Sequence, residues 1–146
     1  MGGKHWSVGG FTLIEVMVVV VILSILAAIL VPKVMDRPDA ARVTKVHNDL
    51  RAIESALNLY RLDNFNYPST DQGLQALVEK PVGEPEARNW KAGGYLAKPK
   101  MPEDPWGNEY QYLSPGVRNR DFDLYSFGKD GVEGGEGYDA DITNWD

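Results

Sequence analysis

The chain has 146 residues, 43% hydrophobic and 25% charged, with 15 Gly and 9 Pro, which is the size of one ordinary domain. A formal charge of −6 disfavours a nucleic-acid binder held by phosphate contacts, and no nucleic-acid partner is expected. The absence of cysteine excludes disulfides, thiolate zinc sites and cysteine nucleophiles, and His5 and His47 are too few for a His-rich metal site.

These averages conceal three unlike segments. Residues 1–10 (MGGKHWSVGG) are Gly-rich with one base, Lys4; residues 11–31 (FTLIEVMVVVVILSILAAILV) carry one charge, Glu15; residues 32–146 are ordinary soluble sequence. All the excess acid sits in residues 130–146, where Asp130, Glu133, Glu136, Asp139, Asp141 and Asp146 have no base among them. As α-helix, 21 residues reach about 32 Å, enough to cross a bilayer core of roughly 30 Å. A cleaved secretory signal has a shorter apolar core ending in a small-residue site, whereas Ala27-Ala28 here is followed by more Ile, Leu and Val. The segment therefore reads as membrane-embedded, with residues 32–146 as a soluble head.

Beyond the apolar run, Pro32 and Pro38 each remove a backbone donor and predict a kink or fray. A second helical pattern is expected from Asp39, which is suited to an N-cap. Val43, Val46, Leu50, Ile53, Leu57 and Tyr60 then recur at spacings of three and four, forming one apolar stripe. Asn64 and Pro68 stop it. Residues 71–79 predict a short helix with Leu74, Leu77 and Val78 inward. A long turn-rich connection follows, anchored by Trp90, Tyr95 and Leu96. Alternation over 109–113 and 122–127 predicts two strands, with a third short one around Ile142. A long helix followed by a small antiparallel sheet is an α+β arrangement.

Gly10-Phe11-Thr12-Leu13-Ile14-Glu15, between a short basic leader and an apolar run, resembles the class III signal of type IV pilins and pseudopilins. That resemblance implies a leader of residues 1–10, cut after Gly10 by a membrane aspartyl protease (the prepilin peptidase), which then methylates the new N-terminal Phe11. Glycine suits such a site because it lets a protease approach an extended backbone closely. Glu15 costs about 3 kcal/mol of insertion inside an apolar helix, which makes it a functional candidate. A position near the interface, in reach of water, accounts for the same residue. The resemblance supplies a partner for the carboxylate, the freed amino group of Phe11 in a neighbouring subunit, and hence a role in assembly.

Residues 121–146 (DFDLYSFGKDGVEGGEGYDADITNWD) mix acids with Gly128, Gly131, Gly134, Gly135 and Gly137. Glycine lets the backbone curl so that carboxylates and carbonyls converge on a hard cation, for which calcium is better suited than zinc. The spacing excludes an EF-hand. A solvated acidic tail explains the composition equally well, but Ile142 and Trp145 are apolar and require something to fold the stretch down.

Tyr67-Pro-Ser-Thr-Asp-Gln-Gly-Leu-Gln-Ala-Leu77, Asp104-Pro-Trp-Gly-Asn108, Tyr112-Leu-Ser-Pro-Gly116, Ser126-Phe-Gly-Lys-Asp130 and Asp141-Ile-Thr-Asn-Trp145 together resemble the major pseudopilins of type II secretion systems, over nearly all of residues 10–146. The resemblance implies a pilin-like α+β fold and a calcium site in the last loop. By position, Asp130 is carried over as a carboxylate ligand, Phe127 and Val132 as carbonyl ligands, and Asp139 and Asp141 as a second cluster, with Glu136 competing for that place. Type IV pilins close a C-terminal loop with a disulfide, which a chain without cysteine cannot form; calcium fills that stapling role.

No enzyme is expected: His47 reads as a partly exposed helical residue, and His5 belongs to the leader. The resemblance implies a structural subunit that polymerises with itself into a periplasmic pseudopilus and exports folded proteins across the outer membrane. Its implied partners are minor pseudopilins, the prepilin peptidase, an inner-membrane assembly platform and a motor ATPase. It would be a single-pass inner-membrane protein with a periplasmic head until assembly. The alternatives are a membrane-tethered, calcium-dependent binding module and a pilin-like subunit outside the main filament.

Overall fold

The computed structural model describes residues 2–4 and 9–146, with the side chains of residues 32–36 also left outside; His5 and most of the leader therefore lie beyond the described residues. Helix α1 runs Leu13–Asn64, and the chain divides into two compact units, Met1–Pro38 and Asp39–Asp146. In the first unit, Leu13–Val31 forms a continuous apolar helical stretch of 19 residues, and its large side chains are about half exposed or more. Its length and composition suffice to cross a bilayer. Phe11 and Thr12 precede the helix.

The helix does not stop at either proline, and Asp39 is not an N-cap. Proline's own φ is helical, so an interior proline costs a hydrogen bond without dictating an end. Asp39 instead lies within α1, 7% exposed, where it takes Arg42 Nη1 at 2.8 Å and Lys129 Nζ at 3.0 Å.

In the second unit the expected stripe is the core. Val46, Leu50, Ile53, Leu57 and Tyr60 are buried, with Val43 packed at the margin. The helix ends at Asn64, followed by Phe65 in a left-handed conformation whose N–H returns to Arg61 O at 2.7 Å. Asn64 itself is buried and bonded on both ends of its amide, donating to Tyr60 O and Tyr95 Oη and accepting from Asn89 N.

The predicted short helix over 71–79 is a tight 3-10 turn, Leu74–Leu77, with Leu74 and Leu77 buried and Val78 half-buried. The long connection is held where its aromatics were expected to hold it. Trp90 Nε1 donates to Ala76 O at 2.8 Å, and the Tyr95 hydroxyl donates to Asp63 at 2.9 Å.

The strands are β1 (Gln111–Leu113), β2 (Asp123–Ser126) and β3 (Ile142–Thr143), antiparallel in the order β1-β2-β3. Tyr112 pairs with Leu124, and Ser126 with Ile142. The Tyr112 hydroxyl donates to Pro68 O, and burial pushes its ionisation well above the ordinary tyrosine range. Besides Asp63, further acids of α1 receive donors from the C-terminal half: Asp39 from Lys129, Asp49 from the Tyr110 hydroxyl at 2.7 Å, and Glu54 from Asn144 Nδ2 at 3.0 Å.

Candidate functional site

Two stretches carry the residues singled out by the sequence. At the N-terminal one, Gly10 and Phe11 lie outside any helix or strand and are exposed, Phe11 at 86%, and no atom of the described residues lies within 4 Å of where a Cβ on Gly10 would sit. The bond expected to be cut is thus open backbone among the described residues. Directly after it, Thr12 Oγ1 accepts the Glu15 N–H at 3.2 Å, while Glu15 Oε2 accepts the Thr12 N–H at 3.2 Å. This reciprocal pair is a capping box, satisfying two helix-end donors. Thr12 is not among the residues that the sequence analysis singles out. The spacing Thr-x-x-Glu before an apolar run was the signal that identifies it as the cap.

The second stretch is the C-terminal loop. Ile142 is buried, and the Trp145 ring lies 5.5 Å from that of Tyr125, so the acidic segment is folded down on the sheet as its apolar residues required. Two glycines let its arms meet. A Cβ on Gly128 (φ 74°) would stand 2.6 Å from Ala140 O, and one on Gly135 (φ 96°) would stand 2.6 Å from Asp139 O. Lys129 N–H donates to Tyr138 O at 2.9 Å across the same gap.

Of the expected ligands, Asp130 is exposed and accepts from Val132 N–H at 3.1 Å, and Asp141 accepts from Gly134 N–H at 3.1 Å through both oxygens. Asp139 and Glu136 are exposed, and Asp139 contributes its backbone to the contact with Gly128 and Gly135. Phe127 is half-buried beside Tyr125, and the Val132 side chain is exposed. Among the described residues, no three Asp, Glu, His or Cys side chains converge on one point. The donors this loop has to offer a cation are a carboxylate or two completed by main-chain carbonyls. All are oxygens, and close approach at Gly128 and Gly135 packs the backbone of residues 139–140 against both, so the chemistry fits a hard cation.

The start of this loop is fixed by a neighbouring turn that sequence reading did not assign. Asp104 is 4% exposed; its Oδ1 accepts from Trp106 N–H and Asn108 N–H, and its Oδ2 accepts the Ser126 hydroxyl at 2.8 Å. Ser126 Oγ in turn accepts the Gly128 N–H at 3.2 Å. A second carboxylate does similar work at the β1–β2 connection. Asp123 is buried and takes the N–H groups of Val117, Arg118 and Asn119 at 2.7–2.9 Å. Burial alone would raise its pKa, but those three donors outweigh it and hold the carboxyl below the usual range.

An exposed N-terminal segment, a capped apolar helix and a small α+β unit with a three-stranded sheet define a pilin-like subunit. Residues 7–31 match the model of the prokaryotic N-terminal methylation motif, and residues 33–145 match that of type II secretion system protein G. The chain is 64% identical over 137 residues to a Pseudomonas aeruginosa protein described as type II secretion system core protein G, covering 94% of both. It is 55% identical to the protein of the same description from Vibrio cholerae, covering 93% of this chain and 90% of that one. Its structure is similar to the crystal structure of the major pseudopilin of the enterohaemorrhagic Escherichia coli type 2 secretion system, with a TM-score of 0.65 and 50% identity over 76% of this chain and 92% of that one. The chain belongs to the type II secretion system protein G family, the major pseudopilins.

Proposed function

We propose that this chain is the repeating subunit of a periplasmic pseudopilus in a type II secretion system. It is inserted in the inner membrane through Leu13–Val31, matured by prepilin peptidase between Gly10 and Phe11, and then extracted into a filament of its own copies. The observation that carries this reading is a single carboxylate, Glu15, in the first turn of an exposed apolar helix, four residues beyond an open Gly10–Phe11 bond.

In the uncut chain Glu15 caps its own helix through the Thr12 N–H. Cutting creates a cationic amine on Phe11, a stronger partner for a carboxylate in apolar surroundings than a neutral amide. An amine on a neighbouring copy paired with Glu15 fixes the register in which helices pack, and it exists only after cleavage. Packing one helix against the next in this way is a heterologous, non-closing contact, which produces a filament. Removing an apolar helix of this length from a bilayer is uphill, which calls for the assembly platform and motor ATPase as partners, with minor pseudopilins among the filament's components. Glu15→Leu tests the reading: membrane insertion is retained and filaments are lost.

Calcium belongs to the same proposal. The C-terminal loop would hold it through Asp130, one of Asp139 or Asp141, and carbonyls such as those of Phe127 and Val132. When bound, the ion neutralises the acidic loop and cross-links its arms, the office a disulfide performs elsewhere. The chain's own contribution is the glycine-tightened contact of residues 128 and 135 with 139–140, which holds the two arms of the loop against each other.

A further inference from the structure

Lys129 is the one base in an otherwise acidic segment, and it directly precedes Asp130. A free ammonium at that point is a built-in counterion, able to offset the carboxylates beside it and oppose a divalent cation. Its Nζ instead lies 3.0 Å from Asp39 Oδ2, on α1 and 90 residues away in sequence. Asp39 is 7% exposed, and its other oxygen holds Arg42 at 2.8 Å. A carboxylate this enclosed on a helix flank costs free energy unless paired, and here it is paired twice. Asp39 is the only α1 acid among Asp39, Asp49 and Glu54 whose donor from the C-terminal half is a full charge; the other two receive a hydroxyl and an amide.

We infer that Asp39 is a positioning residue for the cation loop: it holds and neutralises the Lys129 ammonium on α1, leaving the loop carboxylates to a divalent ion. The inference rests on the calcium reading above. It differs from a simple tether in the sign of its effects. If the pair only ties the loop to the helix, removing either partner loosens the loop and weakens calcium binding. If the pair neutralises Lys129, removing the lysine strengthens binding, removing the aspartate weakens it, and removing both restores the original charge.

The test is calorimetric titration of calcium chloride into the full chain, chelator-stripped in detergent at low salt, with Asp39→Asn, Lys129→Met and the double variant alongside. A melt in EDTA checks the fold of each. A unit charge about 10 Å from a divalent ion shifts its affinity roughly fourfold in water. The expected Kd is therefore about fourfold weaker for Asp39→Asn, about fourfold tighter for Lys129→Met, and within about twofold of the parent for the double variant. Weaker binding by Lys129→Met, or one Kd for all four proteins, overturns the inference. Should Asp39→Asn fail to fold, the direction of change in Lys129→Met decides alone, because that side chain is half exposed. A parent chain that binds no calcium overturns the calcium reading itself, and the inference falls with it.

Discussion

The Ser126 hydroxyl donates to Asp104 Oδ2 at 2.8 Å, joining two buried side chains 22 residues apart and linking the Asp104–Asn108 turn to the last strand before the acidic loop. The same oxygen of Ser126 accepts from Gly128 N–H, and Gly128 is pressed against the carbonyls of Asp139 and Ala140. One buried carboxylate thereby sets where the loop begins, and the loop's closing arm packs on that starting point. Asn108 joins the contact from the other side, its side chain 3.1 Å from where a Cβ on Gly131 would sit.

Ser126→Ala removes the acceptor of a buried N–H and leaves Asp104 short of a donor. An unsatisfied buried group of this kind costs about 2 kcal/mol, which for a folded unit of this size lowers the melting midpoint by roughly 5–10 °C. A thermal melt of the full chain in detergent measures it. An unchanged midpoint would mean that water replaces the hydroxyl without loss.

Asp123 makes the fold acid-sensitive. Its native pKa lies below the value of an unfolded aspartate, about 3.9, so the native state binds fewer protons there than the unfolded state. Its contribution is complete above that unfolded value and is lost as pH falls through the depressed native value. Asp39, lowered by its bonds to Lys129 and Arg42, acts in the same direction. Melting midpoints recorded from pH 5.5 to pH 3 should fall for the parent chain and fall less steeply for Asp123→Asn, which starts lower. Parallel curves would remove Asp123 as a source of the acid sensitivity.

Gly10 packs against none of the described residues: no atom of theirs lies within 4 Å of the Cβ it lacks. Gly10→Val should therefore leave the melt unchanged while blocking maturation. Intact mass after co-expression with prepilin peptidase reads this directly: residues 1–10 stay attached and no N-methyl group is added. Normal cleavage of that variant would show that the peptidase does not need glycine ahead of the cut.

Calcium at about 100 times its Kd stabilises a native state that binds it by about 2.7 kcal/mol, moving the midpoint by roughly 10 °C relative to EDTA. Asp130→Ala should reduce that shift. An identical melt in EDTA and in millimolar calcium would leave the loop a folded acidic segment with no ion.

The apolar stripe of α1 and the three strands were legible because each rests on a periodicity that a single segment displays. Val46 to Tyr60 repeat with the helix, and Tyr112 and Leu124 alternate with the sheet. What escaped was contact between segments. Pro38 and Asp39 look locally like a helix start, yet the pairing of Asp39 with Lys129 lies 90 residues away and belongs to a helix interior. The Asp104–Ser126 pair and the backbone donors gathered by Asp123 are equally non-local or conformational, and no spacing announces them. Thr12 is the opposite case. Its capping role is local, written in the three-residue spacing to Glu15. The C-terminal loop was legible in composition and in its need to fold down. How its carboxylates are oriented depends on glycine conformations and cross-loop hydrogen bonds that composition does not encode.

The most direct test of the account is electron microscopy of filaments from cells that supply the assembly machinery, comparing the parent chain with Glu15→Gln. Glutamine keeps an oxygen that accepts the Thr12 N–H, so the capping box, the helix and membrane insertion survive while the charge is lost. The account predicts normal amounts of membrane-inserted, cleaved subunit and no filaments. Filaments of parental number and length from Glu15→Gln would contradict it, because assembly would then not depend on pairing a carboxylate with the amine that cleavage creates.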